Sequence, residues 1–180
     1  IIGNEANDAG GGVYLGTGGA PQIENCVIGQ NSSIYGGGIA IEGNCSPRLY
    51  DLIVENNSVN DINSKGGGIY LVAGAVAVID HVTVHSNNSQ GKGGGIYTVE
   101  AELTVKYSKI FNNNSYYDAG GIYVRLSTFL MEDCEIYNNT TSEGQGGGVY
   151  IDYSNNCTMN TSLFTGNTAL KGGAIYLDNS

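Results

Sequence analysis

Proline is nearly absent from this chain, 2 residues in 180, and basic side chains are scarce, 7 Lys and Arg against 17 Asp and Glu. The formal charge of −10 argues against a nucleic-acid binder, because too few cations are available to displace counterions along a phosphate backbone. An anionic membrane surface is disfavoured on the same ground. No stretch approaches the roughly 18 consecutive apolar residues of a membrane span, so no membrane insertion is expected of this segment. The two histidines, His81 and His85, stand alone and no Cys-x-x-Cys spacing occurs, which leaves no zinc set and no expected cofactor. Glycine is abundant at 29 residues, yet glycine without proline describes neither collagen nor a proline-rich linker.

What is present is a repeat. Aligned on the apolar residue after each glycine run, the chain gives Val13, Ile39, Ile69, Ile96, Ile122, Val149 and Ile175, with spacings of 26, 30, 27, 26, 27 and 26. A second apolar column follows at Ile23, Leu49, Ile79, Val105, Met131 and Met159, and a third at Ile28, Val54, Val84, Ile110, Ile136 and Phe164. Apolar residues alternate with period two over a few positions and then give way to Gly, Asn and Ser, which suits short strands and no helix. A period of this length, with about three strands per turn, predicts an all-β parallel β-helix of about seven coils of 26–30 residues, in which each coil buries its apolar face only by stacking.

Asparagine closes each repeat, as Asn31, Asn57, Asn87, Asn113, Asn139 and Asn167. At a tight corner its amide tolerates left-handed geometry and bonds to its copies above and below, so the column is read as structural. Sequons at Asn31, Asn87, Asn113 and Asn139 fall in this column, where inward side chains leave no room for a glycan; Asn44, Asn56, Asn138, Asn156 and Asn160 open others. Strand alternation points Gly12, Gly38, Gly68, Gly95, Gly121 and Gly148 outward, which predicts a bare edge that a partner could approach closely.

Tyrosine follows the first anchor as Tyr14, Tyr70, Tyr97, Tyr123, Tyr150 and Tyr176, with Ala40 the exception. Alternation turns these rings outward, either as ordinary stacked strand aromatics or as a stripe that receives a sugar polymer or another copy. Two residues on, Arg125, Asp152 and Asp178 share one outward column. They suit a solvated salt bridge, or else calcium or acid/base chemistry on a saccharide, although calcium requires more oxygen ligands than assemble here. No catalytic or metal-ligating residue is assigned. Lys65, Lys92 and Lys171 precede glycine runs and are expected to charge the rim, and the insertion at 58–65 is read as solvent-exposed slack. Cys26 and Cys134 are four coils apart, as are Cys45 and Cys157, so the four thiols are expected to be free, with Cys26 to Cys45 as the one short alternative.

The segment 164–177, FTGNTALKGGAIYL, resembles the repeat of the polymorphic outer-membrane proteins, with their paired FxxN and GGAI signatures. Degenerate copies cover essentially the whole chain. The resemblance implies a right-handed, pectin-lyase-like β-helix on a secreted or surface-exposed bacterial protein, often adhesive. No GHG or RIK stretch like that of polygalacturonases is present. The chain starts without Met and begins and ends inside a coil, so residues 1–180 are expected to be one β-helix segment of a longer repeat protein. The leading expectation is an extracellular structural or adhesive rod, able to self-assemble into a filament, whose partners are other copies or domains of its own assembly or a polysaccharide. The alternative is a carbohydrate-binding or carbohydrate-cleaving domain using Arg125, Asp152 and Asp178. Ice binding fits less well, since its ladder should be threonine-rich.

Overall fold

The computed structural model describes residues 1–179. Its strands stack into four parallel sheets that form the walls of a solenoid. The first wall holds the seven strands Val13–Leu15, Ile39–Ile41, Ile69–Val72, Ile96–Val99, Ile122–Arg125, Val149–Asp152 and Ile175–Asp178. The second runs from Gln22–Glu24 through Val76–Asp80 and Glu102–Lys106 to Asn156–Asn160, and the third from Val27–Gly29 through Thr83–His85 to Leu163–Thr165. Five two-residue strands, Ser32–Ser33 to Thr140–Thr141, make the fourth. The parallel β-helix is thus the one expected, but with four strands in a full coil where the apolar columns predict about three. The missing strand is too short and too rich in Ser, Asn and Thr to leave an apolar signature.

Register follows the aligned columns. Ile69, Ile96, Ile122 and Val149 pair in order, as do Tyr70, Tyr97, Tyr123 and Tyr150. The anchor residues fill one continuous interior with Leu49, Ile79, Val105 and Met131 from the second wall and Val54, Val84, Ile110 and Ile136 from the third. Thr98 enters this interior in place of an aliphatic residue, and its buried hydroxyl has no hydrogen-bond partner.

The chain turns its corners through residues in the left-handed region, one at most corners and two at Gly18–Gly19, Gly43–Asn44 and Ala73–Gly74. In one coil these are Gly93, Glu100, Tyr107 and Asn112, with φ of 67°, 52°, 48° and 54°. The next repeats the device with Ala119, Leu126, Asp133 and Asn138. Non-glycine residues pay ~1–2 kcal/mol for this backbone, a cost offset by the inter-coil hydrogen bonds that the turn permits. The left-handed position lies one residue before each ladder asparagine, correcting the expectation that Asn31 and its copies adopt it. The insertion at 58–65 is solvent-exposed at 60–63, as expected, but it is held and not slack. Ser58–Val59 joins the fourth wall, and the Asn63 amide donates to Asp61 Oδ1 at 2.8 Å while the Ser64 amide donates to the Asp61 carbonyl at 3.0 Å.

Candidate functional site

Beyond the third wall, each ladder asparagine turns into the interior. Asn113 Nδ2 donates to Asn139 Oδ1 at 3.0 Å and to the Val84 carbonyl at 3.0 Å, while its own Oδ1 accepts from the amide and side-chain nitrogens of Asn87, both at 3.0 Å. The pattern runs unbroken from Asn31 through Asn57, Asn87, Asn113 and Asn139 to Asn167. The sequons at Asn31, Asn87, Asn113 and Asn139 are therefore buried, whereas Asn44, Asn56, Asn138, Asn156 and Asn160 are exposed.

The glycines face this ladder and not the solvent. A methyl group on Gly38 would lie 2.7 Å from the Gly68 carbonyl oxygen and 2.9 Å from Asn57 Nδ2, and one on Gly37 would lie 2.6 Å from the Ser58 carbonyl oxygen of the fourth wall. Gly36 supplies the corner, at φ 60°. The outward reading of Gly12, Gly38, Gly68, Gly95, Gly121 and Gly148 is therefore corrected. What approaches the glycine backbone closely is the chain's own next coil. Two-residue alternation fails there because Gly37 and Gly38 form a bend after the left-handed Gly36, and the extended strand begins only at Ile39.

The tyrosines do leave the interior, and they form a stack. Centroids lie 5.6 Å apart for Tyr70 and Tyr97, 4.8 Å for Tyr97 and Tyr123, 5.1 Å for Tyr123 and Tyr150, and 5.4 Å for Tyr150 and Tyr176, with planes within 14° of parallel. Where Ala40 interrupts the column, Tyr35 swings in from the preceding corner and stacks on Tyr70 at 5.2 Å. Tyr14 stands apart, exposed, donating to Glu42 Oε2 at 3.0 Å, a bond that raises its pKa. The rest of the stack is not an open stripe. Tyr97, Tyr123 and Tyr150 are only 7%, 3% and 7% exposed and form a second apolar cluster with Ala119, flanked by Val72 and Val99.

Lysines complete the cover. Lys65 lies 5.3 Å from the Tyr35 ring and 5.9 Å from that of Tyr97, and Lys92 lies 5.1 Å from Tyr123 while pairing with Asp118 at 2.9 Å. Cation–π contacts of this kind strengthen as water is excluded. These two lysines roof the stack as well as charging the rim. Burial pushes the Tyr70 phenol up to about 12 and raises Tyr97, Tyr123 and Tyr150 as well. Burial and the nearby Lys92 charge lower Lys65; burial also opposes the Lys92 charge, but the Asp118 carboxylate outweighs it and holds Lys92 above its usual range.

Arg125, Asp152 and Asp178 do share a column, with Arg125 beside Asp152 and Asp152 beside Asp178 in register. Arg125 Nε meets Asp152 Oδ2 at 3.2 Å, and Asp152 is only 8% exposed, with its other oxygen buried and lacking a hydrogen-bond partner. Among the described residues no three or more His, Cys, Asp or Glu side chains gather to hold a metal. All four cysteines are free, as expected, with Cys45 and Cys134 buried.

Two further aromatic ladders lie outside the tyrosine column. On the third wall His85, Phe111 and Tyr137 stack at 4.8 and 4.6 Å, with planes within 6° of parallel, and His85 Nε2 meets Glu55 Oε2 at 3.1 Å. At the corner between the second and third walls His81 lies between Tyr50 and Tyr107, at 5.7 and 5.1 Å, and meets Asp80 at 2.7 Å. The first was readable as the column directly after Val84, Ile110 and Ile136; the second falls partly on left-handed corner residues, where the period-two pattern carries no information. A groove of about 440 Å³ runs along the corner between the first and second walls, bordered by Glu100, Leu126 and Tyr153 on one side and Glu102, Thr128 and Asn156 on the other.

Residues 11–180 match a family described as the right handed beta helix region. No curated protein and no solved structure matches the chain.

Proposed function

Because this chain belongs to the right-handed β-helix family, we propose that it is a non-enzymatic structural and adhesive module, a stiff extracellular rod on a bacterial surface that holds a partner along its outer walls. The observation that carries this reading is the continuity of its ladders. Asparagine amides and tyrosine rings connect successive coils without a gap from Asn31 to Asn167 and from Tyr35 to Tyr176. Such coupling favours stiffness along the axis, since each coil is held by its neighbours. The outer walls then repeat at the strand spacing of ~4.8 Å, which suits a partner that is itself periodic, a polysaccharide or another copy.

The roofed tyrosine stack supports a role inside the rod for those residues, and moves the contact surface to the exposed corners and walls. A carbohydrate-cleaving reading would use Arg125, Asp152 and Asp178. The ion pair and burial of Asp152 count against it, because a general acid or base must reach its proton.

Beads coated with the protein should be retained under flow on surfaces bearing either the same protein or immobilised polysaccharide. Free passage over both would contradict the adhesive reading.

A further inference from the structure

One coil breaks the repeat. Its 30 residues exceed the 26 or 27 of the others, and the excess forms the exposed loop 60–63 beside the fourth wall. Insertions in a solenoid gather on one face, often the binding face. This one is built to keep its shape. The Gln90 amide donates to the Val59 carbonyl at 3.0 Å and the Lys92 amide to the Ser64 carbonyl at 3.3 Å, so the next coil pins both ends. Between them Asp61 accepts from the Asn63 amide through its side chain, and from the Ser64 amide and hydroxyl through its carbonyl. A loop fixed in this way loses little freedom when a partner docks.

The loop stands between two hollows. One, of about 250 Å³, is lined by Glu5 and Asp61 together with Ala6 and Ile34. The other, of about 310 Å³, lies between Ile62 and Tyr116. Ile34, Ile62 and Tyr116 are 39%, 55% and 40% exposed, and the Tyr116 ring is set by an edge contact with Tyr117 at 5.0 Å. Single exposed apolar side chains are ordinary, but three along one seam form a patch. The charge beside it has one sign. No lysine or arginine lines either hollow, and among the described residues no cation pairs with Glu5 or Asp61. The Lys65 ammonium, at the base of the loop, is committed to the Asn63 carbonyl at 2.9 Å and to the Tyr35 ring.

We propose that the face around this loop docks a segment of another protein that carries basic and aliphatic side chains together. The two hollows select that chemistry. A lysine or arginine lays its apolar stem along Ala6 and Ile34 while its charged head reaches the two carboxylates, and an aliphatic neighbour fills the space between Ile62 and Tyr116. A second copy is the wrong partner, because each chain carries −10 overall and would bring like charge onto Glu5 and Asp61. A purely polar partner would leave the apolar hollow unfilled. The inference goes beyond the adhesive reading and does not depend on it.

The test is fluorescence anisotropy of three labelled octapeptides titrated with the whole chain, one alternating Lys with Leu, one Lys with Ser and one Glu with Leu. Asp61→Asn removes the charge while keeping an oxygen for the Asn63 amide, and Ile62→Ser removes the apolar tip. Asp133→Asn, at an exposed left-handed corner on another edge of the rod, is the control for net charge. The peptide of Lys and Leu should bind tightest, losing about tenfold in affinity with Asp61→Asn and about tenfold with Ile62→Ser, and nothing with Asp133→Asn. No binding, equal binding of either other peptide, or an Asp133→Asn loss matching that of Asp61→Asn would overturn the proposal. So would sedimentation of the free chain as a dimer that Ile62→Ser dissolves, which would seat a second copy on this face. Peptide binding with beads that pass freely sinks the adhesive reading alone, and adhesion without peptide binding sinks this docking face alone.

Discussion

Asn139 Oδ1 accepts two hydrogen bonds from one residue, the amide nitrogen of Asn113 at 3.1 Å and its side-chain nitrogen at 3.0 Å. A single amide in one coil thus satisfies backbone and side chain of the coil before it. Its own nitrogen passes the same pattern onward to Asn167 at 3.0 Å, so the ladder holds an interior corner that water does not reach.

Asn113→Ala is therefore expected to cost about 3 kcal/mol of unfolding free energy, since it leaves the Asn87 backbone amide buried without its acceptor and takes one of two acceptors from Asn87 Nδ2, which keeps the Val54 carbonyl, at ~1–3 kcal/mol for each lost bond. Denaturant unfolding measures it. A loss below about 1 kcal/mol would mean that the interior corner is hydrated.

Gly37→Ala should be at least as damaging as an overpacked core, about 3 kcal/mol. The added methyl would meet the backbone oxygens of Ser58 and Gly67, both at 2.6 Å, and neither can rotate away. Near-native stability in the same unfolding assay would mean that the fourth wall leaves room for a side chain at this position.

Alkali should unfold the protein through the tyrosine stack. Burial raises the Tyr70 pKa to about 12 from an unfolded value near 10. A raised folded-state pKa means that the native state holds its proton more tightly, so this contribution is complete below pH ~10 and is lost as pH rises toward ~12. Tyrosinate absorbance and circular dichroism, followed together, should show the stacked phenols ionising as the fold is lost. Full ionisation with the fold intact would contradict the burial.

Thiol chemistry offers a fourth check. Burial raises the Cys134 and Cys157 thiols, and all four cysteines are free. Reducing agent should leave the thermal midpoint unchanged, and a thiol reagent should label Cys45 and Cys134 in denaturant but not in buffer. A midpoint lowered by reductant would reveal a disulfide.

Much of the solenoid is legible in the chain itself, because a fixed period places Ile96 on Ile122 and Asn113 on Asn139 without knowledge of the path between them. What the columns do not carry is direction after a left-handed corner. Gly38 reads as outward by alternation from Ile39, yet it follows Gly36 at φ 60° and faces Asn57. Depth is also invisible to a column. The stacking of Tyr97 on Tyr123 follows from register, but their burial depends on Lys92, Asp118 and Ala119, which come from the segments that precede the glycines. The groove beside Tyr153 was hidden for the first reason: its wall is made of the corner residues that interrupt the alternating pattern.

The central claim, that the rod is a structural module that does not cut a polysaccharide, is tested most directly by mass spectrometry of neutral and galacturonate hexasaccharides after prolonged incubation with the protein. The expected result is both oligosaccharides at full length. Shortened products that disappear with Asp152→Asn would contradict it and make Arg125, Asp152 and Asp178 a catalytic site.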